Sequence, residues 1–173
     1  MPYTPQHIAN FFLERAADEG RELDQLKLMK LVYIAYGWVL ALTGQKLFDE
    51  DIQAWQHGPV IRSLYDEFKH FGRRPITDRA AEFDYETFEM SQPEVPVSDN
   101  ETRLILDKVW AAYRRFSGWQ LREKTHEHGT PWSMVYRSGA RDQVIEDELI
   151  RPHFLTIIRK ILDAAGTPRT ATS

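Results

Sequence analysis

The sequence predicts a mainly α fold: one compact domain of six or seven helices around a buried central helix, with room for a short β-hairpin. Three observations predict it. The stretch from Leu26 to Leu42 is apolar around most of a helical circumference, the mark of a helix enclosed by others. Helix start and stop signals recur along the chain, as in Thr4-Pro5 with Gly20 and Asp24 with Gly44. One region, residues 73–97, lacks a helical period and is broken by Pro75, Pro93 and Pro96. At 173 residues the chain fits a single domain, 1–165. Residues 166–173 are a small-residue, Pro/Thr-rich tail, expected to be flexible because it has too little to bury.

Thr4 and Pro5 open the first helix, where a proline's missing N–H costs nothing, and Ile8, Phe11 and Phe12 form its apolar face. Asp24 caps the second, which runs to about Thr43. Its roughly ten large apolar side chains, at about 1.5–3 kcal/mol each, make it the spine of the fold. Leu47-Phe48 and Ile52 to Trp55 read as short extended pieces around the acidic turn Asp49-Glu50-Asp51. Gly58-Pro59 punctuates the chain, and Pro59 suits the first turn of a third helix with Val60, Ile61, Leu64, Tyr65 and Phe68 on its face. Phe83, Tyr85, Phe88 and Met90 suggest one or two short strands, or a loop packed by its own aromatics. Ser98 with Glu101 opens a fourth helix by reciprocal capping, and Ser117 with Gln120 repeats the pattern. Thr130-Pro131 starts a short helix. Asp147 caps the last, with Leu149, Phe154, Ile157, Ile158 and Ile161 inward and Pro152 expected to bend or restart it.

Composition excludes some chemistry. There is no cysteine, so disulfides, thiolate metal sites and a Cys nucleophile are ruled out. The 26 acidic and 22 basic side chains leave a net charge of -4, which runs against a nucleic-acid or anionic-membrane face. No charged region followed by an apolar one opens the chain, and Lys30 interrupts the most apolar stretch, so a cytoplasmic, soluble protein is expected. His126 and His128 around Glu127 look like a metal fragment, but i, i+2 histidines do not share a helical face. The reading is therefore no metal and no cofactor, with His126 orienting the turn into Pro131-Trp132. Ser117 and Ser133 read as helix-start residues, since no Gly-x-Ser-x-Gly elbow surrounds either. Catalysis finds no support.

Lys27 and Lys30 sit one turn apart on the apolar helix, their stems free to run along the core and their heads to pair with Asp24, Glu50 or Asp51. Trp55, His57, Gly58 and Pro59 make a tight turn whose Trp55 either lids the spine helix or meets a partner. An alternative function, a small helical transcriptional regulator or nucleic-acid-binding protein of a mobile element, would use residues 117–137 with Arg122, Lys124 and Arg137.

Specific residues then resemble a known family. The run from Lys27 to Trp38, KLMKLVYIAYGW, resembles the signature helix of the Panacea domain, SocA-like antitoxins, a family that includes phage-associated GepA-like proteins. The run from Gly44 to Val60 resembles its continuation, and Leu121, Thr125-His126-Glu127, Pro131-Trp132, Ile145 and Leu149-Ile150 match near the C-terminus. Lys27, Lys30, Tyr33, Trp38, Gly58, Pro59 and Trp132 are thereby read as structural signature residues. The resemblance implies a mostly helical, non-catalytic, prophage-associated antitoxin that neutralises a cognate protein toxin by direct binding. In the SocA branch it also implies a proteolytic adaptor that hands the toxin to a Clp-type protease. Residues 73–97 are the part least like the family, so toxin specificity is expected there, with Phe83, Tyr85 and Phe88 joined by Trp55 and His57 as the partner-binding set.

Overall fold

The computed structural model describes residues 3–140 and 142–166, so of the tail expected over 166–173 only Gly166 is described, as the last residue of a helix, and the rest lies outside the described residues. Seven α-helices and two two-stranded antiparallel sheets make up the described chain, confirming the mainly α class. The helices are α1 (Pro5–Asp18), α2 (Gln25–Thr43), α3 (Arg62–Phe68), α4 (Asn100–Tyr113), α5 (Gly118–His126), α6 (Pro131–Val135) and α7 (Asp147–Gly166). The strands are β1 (Ile52–Trp55) with β2 (Gly58–Ile61), and β3 (Glu82–Asp84) with β4 (Glu89–Ser91).

Helix α2 is the spine. Every residue from Lys27 to Ala41 is buried, and α1, α3, α4, α5, α7 and β2 all pack on it. Its ends are those the sequence dictates: the Asp24 carboxylate accepts from Lys27 N–H at 2.8 Å, and Gly44 closes the helix in the left-handed region. Among the described residues it is the one helix long and apolar enough to cross a membrane, and most of it is enclosed by protein. A glycine sits mid-helix because α7 comes too close for anything larger. A Cβ on Gly37 would lie 2.1 Å from the Phe154 ring, which stands edge-on to Tyr33 at 5.5 Å.

Four boundaries differ from the sequence reading. Gly58-Pro59 does not start a helix; it lies in β2, and Val60 and Ile61 are strand residues. Pro59 faces Ala54, whose N–H instead donates outward to the Gln143 carbonyl at 2.8 Å, so the ladder needs no donor from the proline. Helix α3 therefore starts at Arg62, with the Glu50 carboxylate accepting from Ser63 N–H at 2.9 Å, so the acidic turn serves as a cap. Asp99, not Ser98, caps α4: its carboxylate accepts from Thr102 N–H and from the Tyr3 hydroxyl, and an anion there suits the helix dipole. Helix α7 runs unbroken through Pro152, which lies with Glu148 on the exposed side, where the bond its missing N–H cannot make to the Glu148 carbonyl is least costly. The inward line of α7 is Ile150, Phe154 and Ile158, spaced by four, while Leu149 and Ile157 are half-buried and Ile161 is exposed.

One buried residue on α1 ties two points of the irregular region together. Asn10 on α1 is buried, and its side chain donates to the carbonyls of Ala80 and Pro93 while accepting from Ala80 N–H, at 2.8–3.0 Å. Its amide thus satisfies backbone groups that no strand partner reaches.

Candidate functional site: a cationic cleft and an aromatic hairpin

Two surfaces carry the site residues that the sequence singles out. The first is a cleft of about 940 Å³ between the start of α2, the β1–β2 hairpin and α5. The approach of α5 is very close: a Cβ on Gly118 would lie 2.8 Å from Lys27 N. Ser117 and Gln120 cap one another at this helix start, at 2.8 and 3.1 Å.

Side chains from three helices hold the hairpin tip by its carbonyls. Trp132 Nε1 donates to the Trp55 carbonyl at 2.6 Å, and His126 Nε2 meets the Gln56 carbonyl at 3.0 Å. The His126 ring lies 3.8 Å from that of Trp132, so His126 does orient the turn before Pro131, as its place in the sequence suggests. Lys30 Nζ, from inside α2, donates to the Pro59 carbonyl at 3.1 Å. Gly58 makes room for it. Its φ of 115° favours glycine, and a Cβ there would sit 2.8–2.9 Å from Lys30 Cε and Nζ.

Lys30 is only 1% exposed, and no carboxylate meets it among the described residues. Burial first, and then the Arg122 charge, push its ammonium down to about 7. The expected pairing of the two lysines with Asp24, Glu50 or Asp51 does not form. Lys27 donates instead to the Arg114 carbonyl, Asp24 caps α2 and Glu50 caps α3. Arg122 completes the cationic wall. Its guanidinium lies 4.6 Å over the Trp119 ring, Nη1 donates to Glu123 at 3.1 Å, and buried Nε has no partner. Partial burial, then the charges of Arg122, Lys30 and His126, push the His57 imidazole below its usual value.

Trp55 faces the same cleft yet is mostly buried, edge-on to Tyr65 at 4.9 Å, with Nε1 donating to Gln53 at 2.9 Å. It lids the spine as well as lining the cleft. Of the signature residues, Tyr33 and Trp38 are core, and burial drives the Tyr33 hydroxyl well above its usual value.

The second surface is the β3–β4 hairpin. Tyr85, Phe88 and Met90 are 80%, 77% and 63% exposed, and Phe83 stands edge-on to Tyr85 and Phe88 at 4.9 and 6.1 Å. Asp84 shapes the tip, its carboxylate accepting from the backbone N–H groups of Glu86 and Thr87, which hold it below the usual carboxylate range. Phe88, at φ 58°, is the non-glycine residue with left-handed backbone among the described residues. The expected partner-binding set is therefore split: Trp55 and His57 line the cleft, whereas Phe83, Tyr85 and Phe88 do not.

Sequence reasoning missed Arg122 and Trp119 as cleft residues. The available signal was their i, i+3 spacing on α5, an exposed Trp beside an Arg. The three cations proposed for nucleic acid do not form a row: Arg122 turns to the cleft, Lys124 lies over Phe116 at 4.7 Å, and Arg137 donates to the Tyr136 carbonyl. No group of three or more His, Asp or Glu side chains among the described residues is arranged to hold a metal ion.

A buried helical spine carrying a cationic cleft and an exposed aromatic hairpin defines a compact mainly α domain. The family model for the antitoxin SocA-like Panacea domain matches residues 28–133, which include Lys30, the β1–β2 hairpin, Phe83 to Phe88, Arg122 and Trp132. The chain belongs to this family. Antitoxin SocA of Caulobacter vibrioides (strain NA1000 / CB15N) is 30% identical over 131 residues, 74% of this chain and 68% of that protein. No solved structure matches the chain.

Proposed function

We propose that this protein is a non-catalytic antitoxin that neutralises a cognate protein toxin in the cytoplasm by binding it directly. Family membership supplies the antitoxin role, and the observation that carries direct binding is the exposed Phe83-Tyr85-Phe88 cluster. Exposed aromatics held by a fixed scaffold are the groups that dominate interface energetics, and leaving three of them in water is unfavourable without a partner. The hairpin and the cleft residues Trp55 and His57 form the toxin-binding surfaces. Delivery of the bound toxin to a Clp-type protease is the second step of the proposal.

Co-expression with the toxin encoded by the neighbouring gene tests the first step. Growth is rescued and the two proteins co-purify; toxicity undiminished by co-expression, with no complex on pulldown, refutes it. Toxin half-life in cells with and without the protease tests the second, which requires the toxin to persist when the protease is absent.

A further inference from the structure

The cleft holds positive charge that the fold satisfies only in part. Lys30 has one hydrogen-bond acceptor for three N–H donors, and the Arg122 guanidinium keeps Nε buried with no acceptor. Burying an ammonium without a counter-charge is costly, and here a second cation stands against it. A methionine would fill the same space without that cost. In a chain of net charge -4, a buried ammonium that no carboxylate among the described residues meets, beside an Arg122 that pairs there only with the mostly exposed Glu123 carboxylate at 3.1 Å, points in a concave site to a negative group supplied from outside.

We propose that the cleft is a carboxylate-binding site that receives an acidic side chain from an extended segment of the protein partner, between Lys30 and Arg122. Its depth and walls suit a side chain carried on a polypeptide. About 940 Å³ lined by Leu26, Met29, Val60, Trp55, Tyr65 and Trp119 accommodates apolar neighbours of the acid. A phosphate fits poorly. Phosphate sites draw on helix N-terminal N–H groups, and both helix starts at this cleft are capped internally, α2 by Asp24 and α5 by Ser117 with Gln120. Asp24 also lines the cleft and repels a dianion more than a single carboxylate. The site rests on the antitoxin reading only for the identity of the polypeptide.

The test uses three probes on the whole protein: acetyl-Ala-Glu-Phe-amide, its neutral isostere acetyl-Ala-Gln-Phe-amide, and inorganic phosphate. Binding is followed by the NMR signal of the Trp119 indole. The Glu peptide binds at least tenfold more tightly than the Gln peptide and than phosphate. R122Q, at a partly exposed position, removes that preference while leaving the thermal midpoint in place. K30M removes it too, with folding checked by circular dichroism. Equal binding of the Glu and Gln peptides, tighter binding of phosphate, or an undiminished preference in R122Q would overturn the proposal. Against the toxin itself, R122Q lowers affinity at least tenfold. Full toxin binding by R122Q sinks the carboxylate site and leaves the antitoxin reading standing, whereas no toxin binding by the wild type sinks that reading and leaves the peptides to decide the site.

Discussion

The cleft and the β3–β4 hairpin place charged and aromatic side chains on the same scaffold in opposite ways. The cleft is assembled from the spine: Lys30 reaches out of the most buried helix, and the backbone it touches is fixed by Gly58, Trp132 and His126. The hairpin carries its aromatics outward and is tied to the fold chiefly through Asn10 and a few polar contacts such as Thr4 with Glu82. A change on the spine side of the cleft, at Lys30 or Gly58, therefore reaches the core directly. A change at the hairpin tip leaves the core untouched, so on the proposed reading it alters partner choice alone.

Substitutions break this comparison in graded ways. Gly58→Ala is expected to be the most damaging, by about 3–4 kcal/mol, because it adds left-handed backbone strain to a clash with the Lys30 head. Urea unfolding measures it, and in a double-mutant cycle Lys30→Ala, which removes the clashing Cε and Nζ, recovers the steric part but not the backbone part. Asn10→Ala follows at about 3 kcal/mol, since it orphans two carbonyls and an N–H in the interior. Its specific sign is faster hydrogen exchange across residues 80–93 than across α2.

Lys30→Met should act in the other direction. The ammonium is held at about 7 in the folded protein against 10.5 for its ordinary value, so below pH 7 it is charged in both states and the full cost of burying it is present. As pH rises from 7 towards 10.5 the folded form gives up its proton first, and the wild type gains stability. The variant is thus more stable by about 1–3 kcal/mol at pH 6, less a share for the orphaned Pro59 carbonyl, and the advantage shrinks by pH 10. Denaturation at the two pH values checks both size and sign. Smallest of all is Tyr85→Ala with Phe88→Ala: both rings are mostly exposed, so stability should move by less than about 0.5 kcal/mol by the same measurement.

What the sequence made legible was local. The α2 cap at Asp24, its stop at Gly44 and the Ser117–Gln120 box depend on residues within a turn of one another, and each stands where the pattern puts it. The errors arise where a distant group decides. Pro59 reads as a helix start until Gln143 takes the Ala54 N–H and frees the ladder from needing the proline. Ser98 is a good cap until Tyr3 engages its neighbour Asp99. Trp55 and His57 were found from their turn, but the cleft they line needs Arg122 from a helix some 65 residues away, and no local period announces that meeting. The same holds for Lys30, whose partner is a backbone carbonyl that no charge pattern reveals.

The central claim is that identity resides in the buried spine and toxin choice on the exposed hairpin. Toxin affinity of the Tyr85→Ala, Phe88→Ala double variant tests it most directly, measured by calorimetry beside its thermal midpoint. The account predicts an affinity loss of about 100-fold or more, ~2.8 kcal/mol or above for the two lost anchors together, with the midpoint unmoved. Wild-type affinity in that variant would contradict it.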